Sequence, residues 1–370
     1  MIPVNTPLLI GNELKYLTEC IQTGWISSEG PFISEFEKRF SKYIGTSYGI
    51  AVSNGSAALD IAVQALNIGP GDEVIMPSFT IISPAQSVVR AGGVPVLIDS
   101  EEGTWNMNVN LIEAKITPKT KAIIVVHIYG LPVDMDPVLS IAKKHEIKVI
   151  EDAAEMHGQM YKNRMCGSIG DLSIFSFYPN KHITTGEGGM ILCNDPVVAA
   201  RCRKLRNLAF EPDGRRFVHL ELGWNYRMTN LQAALGLAQL EQIQIFLQKK
   251  RAVGAIYFEE LSFLTNKGFR FQTRSTGYAE NIYWVFGLLA PDEKEQARLV
   301  KWLSDKKIGT RPFFWCMHEQ PVFNNMGLFN NESYPVAEKL ARNGLYLPSG
   351  LGLSIEEQHE VIKSVRAFYE

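Results

Sequence analysis

A chain of 370 residues is long enough for one large domain and a smaller one, and 46% hydrophobic with 21% charged residues is the balance of a globular protein with a full core. The formal charge of −2 offers no basic field to nucleic acid or to an anionic membrane, so a polyanionic ligand would have to be held by local donors. Five scattered cysteines without a C-x-x-C pair argue against a zinc site or a disulfide framework and point to reduced thiols in the cytoplasm. The opening MIPVNTPLLIGNELKYL lacks a basic region followed by a long apolar run, and no stretch reaches membrane length, so neither a signal peptide nor a membrane span is expected.

Two amphipathic helices open the chain. Leu14, Leu17 and Ile21 recur at helical spacing, as do Phe32, Phe36 and Phe40 in a helix begun by Pro31 and closed near Gly45. Between them lies the turn-rich GWISSEGPF, which contains Trp25. From residue 48 short apolar runs alternate with helical segments. The runs are Tyr48–Val52, Glu73–Met76, Val94–Ile98, Ala122–His127, Lys148–Ile150, Leu172–Phe177 and Gly189–Cys193. Several are apolar at consecutive positions, which predicts strands buried on both faces of an α/β domain with a mostly parallel, seven-stranded sheet. In such sheets ligands gather at the carboxyl ends of the strands. Thr229 and Gln232 form a capping box at the start of a long helical segment reaching roughly to Leu261. A smaller α+β unit follows, with strands at Ile282–Leu289 and near Thr310–Trp315, a helix around Ala297–Lys306, and a terminal helix capped by Ser354 with Glu357. The expected division is 1–245 for the large domain, with the N-terminal helices, and 246–370 for the small one.

Three segments carry chemistry. Ser53-Asn54-Gly55-Ser56-Ala57-Ala58-Leu59 leaves a strand and enters a helix, where free amides, the Ser56 hydroxyl and the helix dipole can seat a phosphate. Taken alone it reads first as an ordinary N-cap. Asp152 stands at the carboxyl end of a strand in Val-Ile-Glu-Asp-Ala-Ala-Glu155, where a carboxylate could hold a ring nitrogen protonated or simply cap the next helix. Most specific is the run from Asp171 to Gly189, in which a hydrophobic strand ends at Ser176 and Lys181 enters a glycine-rich turn five residues later. Burial disfavours an ammonium, so Lys181 could be a neutral nucleophile, although one lysine among 37 basic residues can also be an exposed charge. Gly186-Glu187-Gly188-Gly189 is not G-x-G-x-x-G, and the histidines show no paired metal-ligand spacing, so neither a dinucleotide nor a metal is expected.

The order NGSAAL, EDAAE-x-HG, FSFYPNKHITTGEGGM and GWNYRMTN resembles the DegT/DnrJ/StrS family of sugar aminotransferases along essentially the whole chain. The resemblance implies aminotransferase fold type I, pyridoxal 5′-phosphate as cofactor, and a homodimer with active sites shared between subunits. It implies Lys181 as the Schiff-base lysine and proton carrier, and Asp152 as the partner of the pyridinium nitrogen. Ser176, Ser56, the Ala57 amide and Asn225 of the other subunit would hold the phosphate, with Glu155 near the ring. Trp25, Arg227, Arg311 and His318 are candidates for the substrate side.

Within the family, GWISSEGPF, HIYG, TTGEGG and TRPFFWCMHEQPVF are similar to the branch that moves an amino group from L-glutamate to carbon 4 of GDP-4-keto-6-deoxy-D-mannose. UDP- or dTDP-linked 4-keto-6-deoxyglucose is the alternative substrate. Family members commonly place an aromatic residue after the threonine of Phe79-Thr80, and here Ile81 stands there, so the ring would rest on an aliphatic face. A related branch of sugar dehydratases replaces the lysine by histidine. This chain keeps Lys181 and has His182 beside it, which favours transamination. A non-catalytic cofactor-binding regulator would carry the same motifs.

Overall fold

The structure is a computed structural model that describes residues 1–211 and 213–369. Chain order begins with helices α1 (Glu13–Thr23) and α2 (Pro31–Ile44), then strand β1 (Tyr48–Val52) and α3 (Gly55–Ala65). There follow β2 (Glu73–Pro77), α4 (Ser83–Arg90), β3 (Val94–Ile98), β4 (Thr120–Val126), α5 (Met135–Lys144) and β5 (Lys148–Asp152). A small hairpin, β6 (Met160–Tyr161) with β7 (Arg164–Met165), precedes β8 (Leu172–Ser176), β9 (Gly189–Cys193) and α6 (Pro196–Arg206).

All seven expected runs form one sheet, in the order β1-β9-β8-β5-β4-β2-β3. Only β9 runs against its neighbours, so the carboxyl ends of β2, β4, β5 and β8 share one edge. The strands are buried almost throughout, and Ile123, Ile124, Val125 and Ile150 are fully enclosed. Burial on both faces is what consecutive apolar positions require. Helix α2 closes one side with Phe36 and Phe40 buried and packs against the helix that follows Thr229.

That helix differs from expectation. Thr229 and Gln232 make the capping box, but the helical run divides at Gln242 into α7 (Asn230–Glu241) and α8 (Ile243–Glu260). The Gln242 amide donates to the Gln239 carbonyl, a tighter turn than the α-helix, and no Gly or Pro marks the spot. Helix α1 also departs. It buries Glu13 and Cys20, while Leu14 and Ile21 of its apolar stripe stand in the open. The Glu13 carboxylate accepts from Gln239 and from the Gly11 amide, which explains how a charge can occupy the inner face.

The C-terminal unit holds a second, antiparallel sheet in the order β10 (Arg270–Phe271), β11 (Phe286–Leu289), β13 (Gly344–Leu347), β12 (Arg311–Pro312). Helices α9 (Glu293–Asp305), α10 (Pro321–Asn325), α11 (Pro335–Asn343) and α12 (Ile355–Tyr369) belong to the same stretch of chain, and α11 packs on β13 and α9. Ser354 and Glu357 cap α12 reciprocally, as expected. Residues 2–6 of the chain lie on this unit, where Ile2 pairs with Ile308 and the Val4 carbonyl accepts from Ser349. Strand β11 starts four residues later than its apolar run. The Ile282 amide donates to the Gly130 carbonyl, and Tyr283 takes a left-handed conformation (φ 54°) that interrupts the strand. This kink turns Trp284 toward the edge of the large sheet.

Candidate active site

A cavity of ≈ 570 Å³ opens at the carboxyl ends of the parallel strands, lined by Val126, Asp152, Ile174 and Ser176 from the sheet. Lys181 enters from the turn after β8. Trp284, Arg311, Phe314 and Tyr346 close it from the C-terminal unit. Five of the sequence candidates for the cofactor, together with Ala57 and Arg311, therefore converge on one cavity.

The Lys181 amine is nearly enclosed and has two kinds of neighbour. Glu155 Oε1 lies 3.9 Å away, and the Trp284 ring centroid lies 3.9 Å from Nζ. Burial lowers the Lys181 pKa from its usual value, while the charges of Glu155 and Asp152 act in the opposite sense. Burial likewise pushes Asp152 up to about 6 against the pull of the Ala154 amide and of Lys181. Glu155 rises to about 8 from burial, opposed by Lys181 and by the Tyr129 amide that donates to Oε2 at 2.7 Å. All three shifts have one cause: water is scarce here. A cation seated against Asp152 would remove the cost of keeping that carboxylate ionised, so the site suits a protonated ring nitrogen.

Opposite lies a cradle for an anion. Gly55 begins α3 so close to Ser176 that an added Cβ would stand 2.9 Å from the Ser176 Cβ. Only a missing side chain lets the helix start approach this strand end. Ser56 Oγ is 2.8 Å from Ser83 Oγ, and Ser176 Oγ accepts from the Tyr178 amide, which leaves its own proton to donate. The Ala57 amide differs from expectation. It donates to the Asn54 side chain, which caps the helix, so the unpaired donors at the helix start are the Gly55 and Ser56 amides. Two hydroxyls, two amides and a helix N-terminus suit a phosphate, and the buried lysine and Asp152 suit the aldehyde and ring of pyridoxal phosphate.

The remaining candidates stand elsewhere. His318, expected on the substrate side, is buried between Ser78 Oγ (2.8 Å) and Glu338 Oε1 (3.2 Å), on a separate depression with Glu319, and does not line this cavity. Arg227 bonds Ser28 Oγ and Asn207 Oδ1 and does not line the cavity. Trp25 is exposed, with its carbonyl accepting from Asn230, and Asn225 is exposed and paired with Asn207. Ile81 does line the cavity, as expected of an aliphatic face there. His157 and His182 are buried among aromatic rings, and burial pushes His157 down to about 3 and lowers His182, so both are neutral. The sequence reading missed Ser83, Asn180, Trp284 and Tyr346. Trp284 lies 103 positions from Lys181 in the chain, and an apolar residue ahead of a strand carries no local mark of a site.

The chain matches the DegT/DnrJ/EryC1/StrS aminotransferase family over residues 7–366. It is 41% identical to the GDP-perosamine synthase of Escherichia coli O157:H7, covering 100% of this chain and 98% of that protein. It is 43% identical to the GDP-perosamine synthase of Caulobacter vibrioides (98% of this chain, 97% of the other). Among solved structures it superposes on Spr1654 from Streptococcus pneumoniae, known in PMP and PLP forms, with a TM-score of 0.91, 26% identity and coverage of 99% and 98%. No helix of the described residues is long and apolar enough to cross a membrane. With a cofactor-sized cavity at the strand ends and a matching lysine and aspartate inside it, the chain belongs to the DegT/DnrJ/EryC1/StrS family of pyridoxal-phosphate-dependent aminotransferases.

Proposed function

We propose that this protein transfers the amino group of L-glutamate to carbon 4 of GDP-4-keto-6-deoxy-D-mannose, giving GDP-perosamine. The observation that carries the reading is the enclosed Lys181 amine facing Asp152 and Glu155, in a chain similar along its whole length to GDP-perosamine synthases. When bound, pyridoxal phosphate supplies an aldehyde that captures amines and a pyridinium ring that takes up electrons. Asp152 stays ionised against the ring nitrogen. Ser56, Ser176 and the first amides of α3 hold the phosphate. Burial favours the neutral amine of Lys181, which serves as the nucleophile. Its Nζ would take a proton from the α carbon of glutamate in one half of the cycle and deliver one to carbon 4 of the sugar in the other. Glu155 keeps a negative charge or a proton within reach of that amine. Arg311, which lines the cavity from the C-terminal unit, is the cation we assign to the substrate side.

We also read the working unit as two copies of the chain. Support comes from the outward stripe of α1, where Leu14 is 80% and Ile21 66% exposed, and from Leu222, 93% exposed in the segment before Asn225. Large apolar side chains standing this far into solvent favour burial against a partner. Asn225, outside its own cavity, then reaches the phosphate of the partner copy.

The test is to offer purified protein, glutamate and pyridoxal phosphate a panel of nucleotide-linked 4-keto-6-deoxy sugars and follow the products by mass spectrometry. Amination of the GDP-linked 4-keto-6-deoxymannose is expected. Amination of only a UDP- or dTDP-linked sugar overturns the substrate, and loss of water without amine transfer overturns the reaction.

A further inference from the structure

Trp284 belongs to no motif, yet it touches the reactive amine. Its indole is 3% exposed, and its face lies under Lys181 Nζ at 3.9 Å. Its Nε1–H donates to the carbonyl of Asn180, the residue before the lysine, at 2.9 Å. Its own carbonyl accepts from the buried Lys250 of α8 at 2.9 Å, and Lys250 also donates to Ser349. The ring stacks on Tyr129, with centroids 5.8 Å apart and planes at 29°. One residue of the C-terminal unit is therefore held at its N–H, its ring and its carbonyl, and its side chain meets both the backbone and the amine of the lysine turn.

We propose that Trp284 is a positioning residue for Lys181, its indole face holding the ammonium form in place and its N–H fixing the backbone that aims the amine. The proposal rests on reading Lys181 as the cofactor lysine. The physical argument is one of balance. Among the described residues the charged and titratable groups around Lys181 are Glu155, Asp152, His157 and His182, with Lys250 behind His182. The two histidines are neutral, and the two carboxylates change charge as the site fills. The aromatic face does not titrate. It attracts the ammonium through its fixed quadrupole, most strongly where water is excluded, so it stabilises the protonated lysine without a second proton-binding group. A lysine that must be neutral as a nucleophile and charged as a proton donor needs such a moderate attraction.

The experiment measures Lys181 in cofactor-free protein, by reductive methylation over a pH series with peptide mass spectrometry reporting that residue alone. Protein grown with tryptophan and with increasingly fluorinated tryptophans keeps the ring shape while draining electron density from the face. The midpoint for Lys181 is expected to fall stepwise, by about one pH unit across the series. Trp284→Leu should give a similar fall and Trp284→Phe a smaller one. In the cofactor-loaded enzyme, Trp284→Phe, which lacks the N–H, should lower kcat more than it raises KM. A midpoint that stays constant through the fluorinated series overturns the proposal even where Trp284→Leu fails to fold. Loss of the reducible cofactor adduct at Lys181 would instead refute the reading of the lysine, since the fluorination shift could persist without it.

Discussion

Lys181, Asp152 and Glu155 lie where burial works against every charge, and this makes their consequences measurable one residue at a time. Lys181→Ala should abolish the yellow, borohydride-reducible adduct and reduce turnover by at least about 10²–10⁴, the range for removing a positioned acid–base group; full turnover would remove the lysine from its role. Asp152 has a folded pKa of about 6, above its usual 3.8, so the folded state binds the proton more tightly than the unfolded chain does. The sign follows: the cofactor-free protein loses stability from this group as pH rises through the window from 3.8 to about 6. Glu155 adds a loss in the same direction between 4.5 and about 8, whereas the lowered pKa of Lys181 penalises the folded state at low pH and relents as pH rises. Asp152→Asn should therefore melt higher than the parent at pH 8, by about 1–3 kcal/mol, and equally at pH 4, while losing transamination. Calorimetry of the two cofactor-free proteins decides it. Lys181, Asp152 and Ser176 were legible because strand ends and turn residues adjoin them in the chain. Trp284 and Tyr346 were not, because nothing near them in sequence meets the cavity.

At the scale of elements, the kink ahead of β11 matters most to the site. Gly130 has φ +105°, and a Cβ there would stand 2.6 Å from Asn281 Oδ1 and 2.7 Å from the amides of Tyr283 and Trp284. The turn after β4 and the kink must touch backbone to backbone. Gly130→Ala should cost about 1–3 kcal/mol in denaturant unfolding and displace Trp284, so that cofactor affinity falls along with stability. An unchanged midpoint would show that the two segments can part freely. The capping box of α7 is a local device, and Thr229→Ala should cost about 1 kcal/mol without touching the cavity. Periodicity found α7 and α8 as one helix because the apolar spacing continues through Gln242. The division falls where packing on α1 and α2 gives way to packing on α12, a tertiary matter.

Across the whole molecule, residues of both sheets meet at the cavity, and the proposed second copy completes it. Subunits carrying Lys181→Ala mixed with subunits carrying Asn225→Ala, after unfolding together and refolding, should regain about one quarter of parental activity, since half the pairs are mixed and each mixed pair has one intact site. No recovery would mean that each chain serves its own site. Apolar runs of three to six residues, alternating with helices, were enough to determine the sheet and the edge on which ligands collect, because burial on both faces imposes a composition that each strand carries in itself. The candidate lysine and aspartate followed from the family resemblance, and both stand at or just beyond those strand ends. Tertiary structure alone decided that α1 turns its apolar stripe outward, that the Ala57 amide donates to the capping side chain of Asn54, that His318 is held away from the cavity, and that Trp284 lies beneath Lys181. Each depends on which distant surface a side chain meets, and distance along the chain leaves no trace of that.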